Sequence, residues 1–191
     1  MEKVIYSLPT SVKVNGTEYE IQSDYRAVLD ILTALSDNEL DERDKSEVAL
    51  DIFYPAFPEM PYSCYQEALN QCFRFIDRWQ EKKPKQKEPV LMSWEQDFDM
   101  IIAPVTILAA QLVIRALPYL HWYSFLSYYQ EIGDCLFAQV VRIRDKRARG
   151  KTLDKQDREF YRRNRDIIDL KTNYTEAEKN VLAAWGIGKK D

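Results

Sequence analysis

His121 is the single histidine of the chain, and so the first candidate for acid–base work or metal ligation. It stands in the run Leu120-His-Trp-Tyr-Ser-Phe125, with no cysteine, serine or acid at a motif spacing from it. A lone imidazole in an aromatic run reads as a hydrogen-bonded core residue. Of the three cysteines, Cys64 and Cys72 share one predicted helix and Cys135 is distant. That is no zinc spacing, and buried small hydrophobes are the better reading. An odd number, with no secretory signal in Met-Glu-Lys-Val-Ile-Tyr, points to a reduced intracellular protein. Asp97 and Asp99 are two apart on a predicted helix. They therefore point to different sides and form no carboxylate pair; as first-turn acids they suit the positive end of the helix dipole. No Walker loop, Gly-x-Gly-x-x-Gly, Gly-x-Ser-x-Gly or His-Glu-x-x-His occurs. Five glycines leave little material for a phosphate-cradling loop. The expectation is a protein that is not an enzyme and holds no cofactor and no metal.

Charge offers a binding surface instead. The net charge is −4, but it is unevenly placed. Residues 18–51 are mostly acidic and residues 142–165 mostly basic. Arg142 and Lys146, then Arg158, Arg162 and Arg165, recur at helical spacing and give positive faces on two successive helices. Arg142, Arg144, Arg162, Arg163 and Arg165 are the candidate partner-binding residues. The competing readings are a solvated face attracted to the acidic N-terminal half, a protein partner, and nucleic acid. Nucleic acid is disfavoured because the chain is acidic overall and no base-reading motif accompanies the arginines.

The elements that must hold these residues are mostly helices. The 191 residues suit one domain, or one domain with appendages, and 46% apolar content is ordinary for a globular chain. Asn15-Gly16 predicts a two-residue hairpin turn between strands at about 11–14 and 17–21. Val14 then faces Thr17, Lys13 faces Glu18 and Val12 faces Tyr19. Ser23 or Asp24 caps a helix carrying Ala27, Val28, Ile31, Leu32 and Leu35. A second helix runs from about Asp41 to Tyr54, stopped by Pro55, Pro58 and Pro61. Ser63 caps a third, through about Gln80. Glu81–Val90 is charged, punctuated by prolines and without apolar anchors. The organisation expected is 1–80, hairpin plus helices; 81–93, a charged linker or mobile loop; and 94–191, a C-terminal helical unit.

Beyond the linker, Ser93 or Asp97 opens a helix from Trp94 to about Ala116, kinked at Pro104. The apolar run Met100–Ile114 is shorter than the ~20 residues that cross a bilayer, so no membrane is implied. Pro118 and Gly133 bracket an aromatic helix. Asp134 caps the next, which stops at Gly150. Thr152 opens another, through about Leu170, and Thr175-Glu-Ala-Glu178 is a capping box for a last one. The fold class expected is mainly α: a helical bundle-like domain with a small N-terminal β-hairpin.

Three stretches together resemble the bacteriophage gene-product-fifteen proteins. They are Leu8–Ile21 with Asp24-Tyr-Arg26; Leu120-His-Trp-Tyr-Ser-Phe125, similar to that family's Leu-His-Trp-Trp-x-Phe signature; and Gln156-Asp-Arg-Glu-Phe-Tyr161, similar to its Gln-Arg-x-Tyr ending. Tyr123 departs from the usual second tryptophan, and the helix after Thr175 extends past the usual end. Leu120, His121, Trp122 and Phe125 are then a structural core signature. The resemblance implies a non-enzymatic tail-module protein encoded near the tape-measure gene. It would be a tail-assembly chaperone in the host cytoplasm, with the tape measure or another tail protein as partner and a homo-oligomer allowed. Against it stand a nucleic-acid-binding, packaging or regulatory module built on 142–165, and an enzyme centred on His121.

Overall fold

The computed structural model describes residues 7–80, 88–109 and 113–171. Strands β1 (Ser11–Val14) and β2 (Thr17–Glu20) pair antiparallel with Val14 opposite Thr17, Lys13 opposite Glu18 and Val12 opposite Tyr19. Asn15 (φ 49°) and Gly16 (φ 87°) both take the left-handed backbone this turn requires. The hairpin buries Val12 and Val14 and sets Tyr19 edge-on to Tyr54. It is the one sheet among the described residues, so the fold is mainly α with an N-terminal hairpin.

Helices α1 (Tyr25–Ser36) and α2 (Glu42–Phe53) begin where side chains satisfy free backbone N–H groups. Asp24 accepts from the Arg26 N–H at 3.0 Å, and Asp41 from Arg43 and Asp44, both at 2.8 Å. Prolines 55, 58 and 61 then confine the chain to 3-10 turns at Phe57–Glu59 and Tyr62–Cys64. Helix α3 spans Tyr65–Ile76, shorter than Ser63 and Gln80 implied. Cys64, not Ser63, holds its first cap position, with no side-chain bond. Its end is a left-handed closure without glycine: Arg78 (φ 55°) and Trp79 (φ 59°) turn back, and Trp79 N–H donates to the Arg74 carbonyl at 2.7 Å.

Helix α4 spans Trp94–Leu108 with Ser93 as cap, and it does not run on to Ala116. Residues 110–112 lie outside the described set. A 3-10 turn at Ile114–Ala116 lies back along α4, held by Arg115, which pairs with Asp99 and lies 5.1 Å over the Phe98 ring. The aromatic helix α5 is Trp122–Gln130, four residues later than Pro118 suggested. The delay has a cause outside the segment. The Leu120 carbonyl accepts from Tyr25 N–H (2.9 Å), Leu120 N–H donates to Asp24 Oδ2 (2.9 Å), and Trp122 N–H donates to the Ser23 carbonyl (2.7 Å). Backbone engaged in that pairing is not free to wind a helix.

Helix α6 spans Leu136–Ala148 and begins at Cys135 without a side-chain cap, so Asp134 does not serve; Gly150 (φ 66°) follows its end. Asp154, not Thr152, caps α7 (Lys155–Arg163) by accepting from Asp157 N–H at 2.8 Å. The single helix expected through Leu170 is broken at Asn164, whose amide turns back to the Phe160 carbonyl, and resumes as the short α8 (Arg165–Ile168). The segment from Thr175 lies outside the described residues, as do residues 81–87 of the charged stretch. Apolar residues from both sides of that stretch share one cluster, from Val12 and Phe53 to Ile101 and Phe125; Val140, Ile143 and Ile168 form a smaller one.

Candidate functional site

Two polar constellations organise the chain, and the first is built on His121. Tyr123 N–H donates to its Nδ1 at 3.0 Å, so Nε2 carries the proton and donates to the Pro9 carbonyl at 2.9 Å. The imidazole is therefore the cap of α5 and a tether for the strand entering the hairpin. Burial pulls its pKa below the usual histidine value, against the opposing bond to Pro9. Around it, Tyr25 stacks on Phe125 (4.7 Å, 10°) and Trp122 on Phe125 (5.7 Å, 16°). Trp122 Nε1 donates to the Ile76 carbonyl at 3.0 Å. Burial raises the Asp24 carboxyl, but its bonds from Arg26 and from the Leu120 N–H outweigh this and leave it lowered. Arg26 also donates to the Leu117 and Pro118 carbonyls. The 8–26 stretch and the 120–125 stretch, remote in sequence, are thus bonded to each other. His121, Trp122 and Phe125 are buried and Leu120 half-buried.

The second constellation lies beneath the basic helices. Arg144 is one of the candidate partner-binding residues. It is 5% exposed and grips Asp97, itself fully buried, through two bonds of 2.6 and 2.9 Å. Its remaining N–H groups donate to the carbonyls of Leu91, Ile167 and Ile168. Asp97 Oδ2 also accepts from Ser93 N–H at 3.0 Å. The Asp97 carboxylate therefore serves the helix start, as its position suggested, and an interior ion pair, which no local spacing indicated.

The other arginines divide by partner. Arg142 is exposed, yet its guanidinium reaches the buried Asp157 at 3.0 Å, where Lys146 joins it at 2.5 Å. Arg165 and Arg147 share Asp169, and Arg147 lies 4.3 Å over the Tyr161 ring. Burial raises the Asp169 carboxyl, while Arg165, Arg147 and Tyr161 outweigh it and hold it low. All these carboxylates lie outside the acidic 18–51 stretch. Arg162 and Arg163, with Arg158, are exposed on α7 and have no ion-pair partner among the described residues. The basic surface open to a partner is therefore α7, with Lys155, Arg158 and Arg162 along one side.

Cys72 is fully buried, and burial pushes its thiol up to about 12; Cys64 and Cys135 are partly exposed and free. Among the described residues no group of three or more His, Cys, Asp or Glu could hold a metal, and no helix is long and apolar enough to cross a membrane. Ile107 and Leu108, in the last turn of α4, are 69% and 43% exposed, and Val113, just before the 3-10 turn, is 62% exposed.

The model of the bacteriophage Gp15 protein family matches residues 4–170. The chain belongs to that family. The match takes in both bonded stretches, α1 through α8 and the basic helices. Neither the curated proteins nor the solved structures contain a match.

Proposed function

We propose that this Gp15-family protein is a phage tail-assembly protein. It acts without chemistry of its own, as a chaperone that covers apolar helical stretches of the tape-measure protein in the host cytoplasm. The observation that carries the reading is the family match over residues 4–170. The surface supports it. A long helical chain with apolar stripes needs a partner offering apolar contact and charge. The exposed Ile107, Leu108 and Val113 supply the first, and Arg158, Arg162 and Arg163 of α7 the second. Both ring nitrogens of His121 are engaged in holding backbone, which suits a structural imidazole better than a catalytic one.

The test is co-expression with the tape-measure protein of the same phage. Arg158→Glu/Arg162→Glu/Arg163→Glu and, separately, Ile107→Glu/Leu108→Glu should each lower the fraction of tape measure kept in solution, with the melting temperature unchanged. Titration of random duplex DNA runs alongside. Phosphate contacts would show as affinity falling with salt at a log–log slope of about −0.9 per contact. If the arginine variant loses sub-micromolar DNA binding and still protects the tape measure, the packaging or regulatory reading replaces this one.

A further inference from the structure

A cleft of about 860 Å³ opens beside the last turn of α1. Leu32, Val90, Met92, Trp94, Leu170 and Lys171 are among the residues that line it. Val90 is 77% exposed, while Leu32, Met92 and Trp94 are half-buried, each with one part packed on the core and another facing the cleft. Asp37, Glu39 and Glu95 line it as well. The volume lies in the range of about 300–1,000 Å³ that accepts bulky apolar groups.

The last described residues, Leu170 and Lys171, are part of this lining. Lys171 N–H donates to Gln96 Oε1 at 2.9 Å, and Gln96 Nε2 donates to the Asp169 carbonyl at 3.0 Å, which pins the departure point to α4. The sequence that follows, residues 172–191, lies past the family match and carries its own helix signals. They are Thr175-Glu-Ala-Glu178 as a capping box, Val181, Leu182 and Trp185 on one side, and Gly186 to end it.

We propose that the cleft is the docking site of the chain's own segment 175–186, laid in as an amphipathic helix with Val181, Leu182 and Trp185 against Leu32, Met92 and Trp94. The reach is sufficient. Thr175 to Trp185 spans about 15 Å as helix, and Thr172–Tyr174 supply up to about 10 Å of link. Tethering favours this occupant over any other helix, because a short linker gives an effective concentration of about millimolar. The proposal goes beyond the assembly reading and does not depend on it.

The experiment uses the full-length chain with a photo-crosslinking benzoylphenylalanine in place of Trp185. Cross-links within one chain to residues 32–39 or 90–95 are expected. Cross-links between chains, to another surface, or none at all overturn the proposal. Hydrogen exchange provides a second measurement. In Leu182→Glu/Trp185→Ala, amides of 33–37 and 91–95 should exchange at least about threefold faster while those of the 11–20 hairpin keep their rates. Unchanged rates at 33–37 and 91–95 overturn the proposal. If the hairpin also speeds up, the variant has lost its fold and the cross-link map of the otherwise native chain decides.

Discussion

Replacing Arg144 by methionine removes the cation from a carboxylate with no exposed surface. Asp97 keeps the Ser93 N–H but loses two charge-assisted bonds of 2.6 and 2.9 Å, and the carbonyls of Leu91, Ile167 and Ile168 lose a donor. Breaking a buried pair on one side typically costs about 3–5 kcal/mol, because the remaining charge stays buried without compensation. That is a large part of the ~5–15 kcal/mol that holds a domain folded. At about 2–4 °C per kcal/mol for this chain length, the melting temperature should fall by about 6–20 °C. Urea titration followed by circular dichroism, at fixed pH and salt, gives the free energy directly. The double variant Asp97→Leu/Arg144→Met removes both charges and should be more stable than Arg144→Met alone, since no ion is then stranded. Arg162→Glu, at an exposed position, should stay within about 0.5 kcal/mol of the parent. A cost below about 1 kcal/mol for Arg144→Met, or strict additivity in the double variant, would refute the assignment of Arg144 and Asp97 as a buried, coupled pair.

His121 should give stability a pH dependence with a definite sign. Its folded pKa lies below its unfolded value of about 6.5, so the unfolded chain binds the extra proton. The contribution is complete above that pH and is lost as pH falls toward the folded pKa. The urea midpoint should therefore drop between pH 7.5 and 5, and drop less in His121→Asn, which keeps a helix-capping side chain; equal slopes would count against the buried neutral imidazole. Thiol labelling under native conditions should modify Cys64 and Cys135 well before Cys72, whose sulfur is buried and pushed up to about 12. Simultaneous labelling of all three in the folded chain would place Cys72 wrongly.

The features legible in the sequence are those whose cause is local. Asn15-Gly16 sets the hairpin register because two adjacent residues tolerate positive φ, and every cross-strand pair follows from that turn. Asp24, Asp41 and Ser93 start helices because each side chain reaches an N–H two or three residues on. The buried, hydrogen-bonded setting of His121 was legible too, from the apolar company around it. The rest required groups far apart in the chain to meet. Helix α5 starts at Trp122, not near Pro118, because backbone at 23–25 captures Leu120 and Trp122 first. The closure at Arg78 and Trp79 carries no glycine to announce it. Arg144 shares its helical neighbourhood with Arg142 and Lys146, yet tertiary packing buries it on Asp97, while Arg158, Arg162 and Arg163 remain at the surface. Helical spacing specifies which residues share a face of a helix. Which faces are covered, and by which carboxylates, depends on contacts between remote segments that no local pattern encodes.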